Sequence, residues 1–483
     1  MAGIENFVNL DDLRCNSVGL VSCDLSKNTA LKVLMLSSNP LEGVLNLSNN
    51  AKLEVLYLQG CGSLSSVKLD NCTKLGFVCL TSTRSLTSFD IPNKAGVYFL
   101  DYSSSSLNFN LSEFTGLTTL KCSFKGLTEL NLSDEAKSKL TFIECSGNNL
   151  GDLDLSGYTS LETFSGFNAG ITSLNVSEAV NLKKLWCFQN NMQNLDITFL
   201  NNLEEVRCGK QLNDAVLLLH LTEAQKAKWE TTWNTDASNI NVNLKVETLV
   251  TINNAELSTV LYSMFGASKV KLENGNAVMT KSFAESVIEL NLYKRSLTSL
   301  AGIGVFKNLV VLNCEENALT TLDLSQLPKL KNLNCVSNKL TALDLSYCPE
   351  LTNLRCSKNQ LANISVNHLK NLVELDIIEN QLTSLDVSSL TKLKGLYCFK
   401  NHLQTLDLSA CIALTTMQLG TQTDKDGKDI TLKLKLSDAS MESWTSKWAS
   451  DGSNKNVELV TGSSVETGSG NTGGSDFTIE GIY

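Results

Sequence analysis

The chain has 483 residues, 42% of them hydrophobic and 19% charged, and its 50 acidic and 40 basic side chains leave a formal net charge of −10. That balance gives no general attraction to phosphate backbones or anionic lipid, which argues against nucleic acid as a partner. No apolar run approaches the roughly 18 residues of a membrane helix, so no membrane span is expected.

The first residues, MAGIENFVNL, run almost directly into repeating sequence and lack a basic stretch followed by an apolar one. The expectation is an exported protein whose signal peptide is missing from this sequence. From there leucines open successive coils at about Leu10, Leu31, Leu53, Leu75, Leu117, Leu140, Leu161, Leu182 and Leu203. Residues 91–116, including VYFLDYSSSSLNFNL, are expected to hold one further irregular coil, whose register the sequence leaves open. The first array ends in HLTEAQKAKWETTWNTDASNINVNL, where Thr222 reads as a helix N-cap before a run carrying Trp229 and Trp233. Tryptophans on one helical face suit a cap over the open end of a stack, and they also suit a ligand platform.

The second array begins after the segment from Val250 and repeats more strictly. Five copies open at Leu309, Leu330, Leu351, Leu372 and Leu393, 21 residues apart, with the pattern LxxLxCxxNxLxxLDLS. An incomplete sixth opens at Leu414. Alternating apolar positions in LxC and LDL predict two short extended segments per coil, with their leucines pointing into one interior. A single unit of this length cannot offset its ordering entropy with a handful of leucines, each worth roughly 1.5–3 kcal/mol, whereas a stack can. The asparagine nine places into each copy can both donate and accept, so Asn317, Asn338, Asn359, Asn380 and Asn401 are predicted to form a ladder across the turns. Only Asn39, Asn148 and Asn190 hold that place in the first array, and Lys125, Ala169 and Gln211 read as breaks. A second closing segment, KLSDASMESWTSKWASDGSNKNVEL, matches the first, with Ser437 as N-cap and Trp444 and Trp448 in the tryptophan places. The tail pairs a Gly/Ser/Thr linker with DFTIEGIY, in which Phe477, Ile479, Ile482 and Tyr483 read either as a terminal strand or as an extended end.

This is a leucine-rich repeat: a repeat solenoid, expected as a right-handed coil with short parallel strands, in two arrays each closed by a helix-containing cap. The domains are drawn at residues 1–246 (first array and cap), 247–460 (leading cap, second array and cap) and 461–483 (linker and tail). The LxCxxNxLTxLDLS repeat, and the segment running from VTINNAELSTVLYSMF to VFKNLVVLNC, resemble surface leucine-rich repeat proteins of Gram-negative gut commensals, a group similar to the internalins in layout. The resemblance covers most of residues 117–460 and implies a surface-binding role without a ligand. In that group the leading cap often carries a loop like an EF-hand. The best register here runs from Leu272 to Phe283 and keeps only Asn274 and Asn276 as oxygen ligands, too few for calcium.

Nine of the 15 cysteines sit in the inward LxC slot: Cys15, Cys122, Cys145, Cys187, Cys208, Cys314, Cys335, Cys356 and Cys398. Leu36, Leu58, Leu80, Ile377 and Leu419 fill the same slot, so cysteine there is read as a small apolar filler, neither disulfide nor zinc ligand. The histidines, His220, His368 and His402, fall at different points of the repeat. Glu315–Glu316 and Glu204–Glu205 are adjacent acids whose side chains diverge on a strand. No phosphate-binding loop, dinucleotide fingerprint or nucleophile elbow is present. The sequence therefore reads as a non-enzyme with no cofactor and no metal.

Slots flanking each inward residue face solvent on the sheet and are mostly polar in the second array: Asn313, Glu315, Asn334, Ser337, Arg355 and Asp376, for example. The exceptions are Tyr397 and Phe399 around Cys398, matched by Trp186 and Phe188 around Cys187, with Phe167, Phe142 and Phe124 on preceding coils. These are the candidate ligand contacts, since exposed aromatics mark interfaces. Each pair sits one coil before a closing segment, and cover by that segment explains the duplication equally well. The expected function is an extracellular or cell-surface binding protein, adhesin-like, for a protein or glycan ligand. The alternative is a structural spacer or self-associating envelope module.

Overall fold

In a computed structural model, which describes residues 3–460, the chain forms two compact units. One is built on residues up to Leu249 and the other on residues from Ser282 onward, with 250–281 divided between them. The predicted linker and terminal strand lie outside the described residues.

Each unit is a leucine-rich repeat solenoid. In the first, three-residue strands pair in parallel, one per coil, from Asp12–Arg14 through Val55–Tyr57, Phe77–Cys79 and Phe99–Asp101 to Glu205–Arg207, ten among the described residues. In the second, seven run from Glu289–Asn291 to Thr416–Gln418. The register stacks like on like: Leu312, Leu333, Leu354, Leu375 and Leu396 pair in sequence at the centre of successive strands, and all are buried. The cysteines follow them inward, and Cys122, Cys145, Cys187, Cys208, Cys314, Cys335, Cys356 and Cys398 have no exposed surface.

The irregular coil takes the register Val78↔Leu100↔Leu120, with Val97 in the opening leucine's place. Tyr102 occupies the inward slot where its neighbours have Leu80 and Cys122. This is the bulk that broke the pattern in sequence.

The asparagine ladder exists as bonded geometry. Asn338, Asn359, Asn380 and Asn401 each donate to the carbonyl of the inward residue in their own coil and to that of the coil before. Each also accepts from a backbone N–H of the preceding turn at 2.9–3.1 Å. Asn317 does the same against Leu292 and Leu297. The ladder asparagine follows one residue per coil in left-handed backbone, at Glu316, Ser337, Lys358, Glu379 and Lys400 with φ between 53° and 56°. That conformation costs a non-glycine residue on the order of 1 kcal/mol, and the amide bonds that span it hold it in place.

Three expectations need correcting. Gln211 does not break the ladder: its Nε2 donates to the Cys208 carbonyl at 2.6 Å and its Oε1 accepts from Met192 N at 3.0 Å. Gln422 serves the last coil of the second unit in the same way. Next, the LDL segment is a paired strand in only part of each unit, as at Thr405–Asp407. Through most of the second array its aspartate opens a turn, Asp323, Asp344 and Asp386 accepting from the N–H two residues on. Bonds from the backbone N–H and hydroxyl of Ser325 and Ser388 lower the carboxyls of Asp323 and Asp386 below their usual pKa, and the hydroxyl and N–H of Ser346 do the same for Asp344. Last, paired tryptophans do not share one α-helix. Helix Glu223–Thr231, with the predicted Thr222 cap completed by Gln225, ends before Trp233, which starts a separate short turn. In the second unit the helix Asp438–Ser443 ends before Trp444, and Trp444–Trp448 form a wider π-turn.

All four tryptophans are buried, so they are not ligand platforms. Trp233 Nε1 donates to the Glu204 carbonyl at 2.8 Å, and Gln225 donates to those of Ile197 and Leu200, which ties the closing segment to the last coils. Asn239 and Asn454, which sequence reading passed over, accept from Cys208 N at 2.7 Å and Leu419 N at 2.8 Å. Residues 272–283 are not an EF-hand-like loop: Lys271–Glu273 and Asn276–Thr280 are strands joined by Asn274 and Gly275, both at positive φ as a tight hairpin turn requires.

Candidate functional site

Side chains alternate across a strand, so each coil that buries its central leucine must turn the residues before and after it outward. Stacked in register, these residues make one continuous sheet face per unit.

On the first face the strongest feature is an aromatic row that the sequence reading missed. Tyr57, Phe77 and Phe99 stand on adjacent strands, with ring centroids 4.6 Å apart for Tyr57–Phe77 and 3.9 Å for Phe77–Phe99. The two phenylalanine rings are parallel within 6°, each giving one face to the other, and both are half-exposed. Tyr98, 47% exposed, meets Phe77 edge-on and leans over Gly76, where a Cβ would come within 2.7 Å of its ring. Half-exposed Val33, Met35 and Val55 extend the apolar surface toward the N-terminus. Two signals were available: the outward slot lies before the central leucine as well as after it, and residue 99 falls in the coil whose register was open.

The aromatics singled out in sequence are half-buried, with one exception. Trp186 has the Arg207 guanidinium over its ring at 5.3 Å, and Arg207 is held by Glu205 at 2.8 Å and by Asp236 of the closing segment at 3.0 Å. Phe167 and Phe188 stack at 5.1 Å and 8°. Phe142 lies under the Lys121 ammonium at 5.1 Å, and Lys121 pairs with Glu144. Phe124 is the exception, 59% exposed and in left-handed backbone. In the second unit Tyr397, between Asp376 and Gln418 on the adjacent strands, and Phe399 are half-buried, and among the described residues no other ring or cation is stacked on either.

The groups that acid–base chemistry would need are dispersed and engaged. Glu315 accepts from Asn334 at 2.7 Å, and Glu316 accepts from Tyr293 Oη at 3.0 Å. His220 faces Glu247, His368 the Leu345 carbonyl and His402 the Thr423 carbonyl. Among the described residues no three His, Cys, Asp or Glu side chains converge on a possible metal position.

The cysteines are free thiols, all buried except Cys15 and Cys23, which are half-buried. Burial pushes Cys122, Cys314 and Cys398 up to about 12. Neutral, shielded thiols are inert toward disulfide reagents. At about pH 8 the native protein is expected to react with dithiobis(nitrobenzoate) at no more than two of its 15 thiols, and at all of them in guanidinium chloride; fast reaction of many native thiols would contradict the inward ladder.

No helix among the described residues is long and apolar enough to cross a membrane. Neither the protein-family models nor the curated proteins contain a match to the chain. Among solved structures it is similar to the functional domain of InlJ from Listeria monocytogenes, described as including a cysteine ladder, at 19% identity over 89% of this chain and 74% of that one, with a TM-score of 0.38. A leucine-rich repeat protein of Leptospira interrogans is 18% identical over 86% of each chain, with a TM-score of 0.32. Internalin C2 of Listeria monocytogenes is 21% identical over 43% of this chain and 94% of its own, also at 0.32.

Proposed function

We propose that this chain is a non-enzymatic binding protein, working outside the cell or on its surface, that recognises a protein ligand through the sheet face of the first unit. The observation that carries the reading is the row Tyr57–Phe77–Phe99. Half-exposed aromatic rings amid Val33, Met35 and Val55 supply the apolar centre that protein interfaces require, and rings already locked by stacking lose little entropy on binding. Trp186, Phe188 and Phe167 lie further along the same sheet and extend the contact surface.

The test is retention of a panel of purified extracellular protein domains on the immobilised chain, compared with the variant Phe77→Ser plus Phe99→Ser. At least one domain is expected to bind, and the variant to weaken it by about 2 kcal/mol or more; Tyr57 and Tyr98 lose ring partners, so the urea midpoint falls as well, while circular dichroism and a single cooperative transition show that the fold is kept. Trp186→Ser with Phe188→Ser should move both readouts, because Arg207 and Phe167 lose their partners. Failure of every domain to bind, or binding indifferent to Phe77 and Phe99, would count against the reading.

A further inference from the structure

The face of the second unit has a different chemistry. Its outward strand positions carry Asn291, Asn313, Asn332, Asn334 and Asn353, and apart from Tyr397 the apolar residue among them is Val311. These amides are held in place. Asn313 accepts from Glu315 N at 3.1 Å and donates to Asn291 Oδ1 at 3.2 Å. Asn334 accepts from Val336 N at 3.3 Å and donates to Glu315, while Asn353 donates to Glu374 at 3.2 Å. The Asn332 amide nitrogen has no protein partner among the described residues. Together with Glu289 and Arg355 they line a recess of about 220 Å³ on the sheet.

The row ends at Tyr397. Its ring leans back along its own strand over Gly395, where a Cβ would sit 3.2 Å from Cε2, so glycine at that position makes the room. Among the described residues no aromatic ring or cation is stacked on this ring, in contrast to Trp186. On the adjacent strand stands Asp376, tied to Ser357, and one strand further Arg355, whose Nε lies 3.5 Å from Asp376.

We propose that this row, from Asn291 to Tyr397, binds a neutral polysaccharide chain running across the strands. A sugar hydroxyl both donates and accepts, and an amide offers both functions, so a row of five asparagines suits a run of sugar hydroxyls. A half-exposed aromatic ring at one end of an amide row, with no other ring or cation stacked on it among the described residues, gives a sugar ring an apolar surface to rest on. The row spans five strand spacings of about 4.8 Å, roughly 24 Å, which matches a chain of sugars better than a single one. Charge disfavours anionic glycans: at the outward strand positions Glu289, Glu374 and Asp376 stand against Arg355, with Glu315 just beyond them, on a chain of net charge −10.

The test is native affinity electrophoresis of the full chain in gels containing laminarin, mixed-linkage β-glucan, xyloglucan, galactomannan or polygalacturonate. At least one neutral polysaccharide is expected to retard the protein. The Kd from a concentration series should rise at least about tenfold in Tyr397→Ala and in Asn332→Ala plus Asn353→Ala, with Tyr397→Phe close to wild type. Circular dichroism checks folding, and if Tyr397→Ala is misfolded the asparagine pair decides. No retardation by any of the four neutral polymers, retardation by polygalacturonate alone, or retardation indifferent to these substitutions overturns the proposal. Phe77→Ser plus Phe99→Ser should leave retardation unchanged, so this site and the protein-binding face fail or stand separately.

Discussion

Replacing Trp233 by alanine is expected to destabilise the chain by about 3–5 kcal/mol in a denaturant titration, the range of large aromatic truncations in a core. The residue is 3% exposed although it lies in a closing segment of modest helical content. A solenoid leaves the leucines of its final coil without a following coil to cover them, so whatever lies over that end stabilises the whole stack. Trp233 contributes both bulk and a direct bond, its Nε1 donating to the Glu204 carbonyl at 2.8 Å, with the Lys228 ammonium 6.0 Å from its ring centre. Trp233→Phe separates the two contributions: it keeps most of the buried area and leaves that carbonyl without its donor, so a loss of about 1 kcal/mol is expected. A shift below about 1 kcal/mol for the alanine variant would mean that the segment does not close the array energetically.

How far such a molecule is legible from sequence depends on whether the physics repeats. Leu354 and Cys356 could be placed in the interior because the same demand recurs one coil earlier and one coil later, and the repetition identifies it. Asn359 was legible for the same reason. Where a coil solves its demand once, the signal vanishes. Tyr102 fills an inward slot that has cysteine in the next coil, and without it the register of Phe99, hence the aromatic row, could not be set. Gln211 looked like a break because its side chain is one methylene longer, yet at the last coil it reaches the same carbonyl and accepts from the same kind of N–H. Asn239 and Asn454 bond to residues 31 and 35 positions earlier, outside the 21-residue period. The aromatics around Cys187 were legible as outward, with cover by the closing segment left as an equal alternative; which residues do the covering was not, because Arg207 on the next strand and Asp236 of that segment form a long-range pair that no local pattern announces.

The ladder sets the second large effect, at Asn359. Its Nδ2 donates to the Cys335 and Cys356 carbonyls, each at 3.0 Å, and its Oδ1 accepts from Leu340 N at 2.9 Å, with the residue 8% exposed. Asn359→Ala leaves two carbonyls and an N–H without their partner at a place with little access for water, and should cost about 1–3 kcal/mol. Asn359→Asp is the sharper experiment. The substituted carboxyl keeps an acceptor for Leu340 N but turns its second oxygen toward two carbonyls, so the ionised form is repelled and the protonated form, which can donate once, is favoured in the folded state. Its folded pKa then lies above the unfolded value of about 3.9. With the folded state binding more protons than the unfolded one, stability falls as pH rises from about 3.9 until the folded pKa is passed, then levels off. Relative to wild type, the aspartate variant is therefore expected to be closer in stability at about pH 4 than at pH 7, and at pH 7 to be less stable than Asn359→Ala, because an unpaired buried charge costs more than a missing amide. Denaturant titrations of the three proteins at the two pH values decide it. A pH-independent difference, or an aspartate variant as stable as wild type at pH 7, would show that the amide's donation to the two coils carries no weight and that the stacked leucines alone hold the turns together.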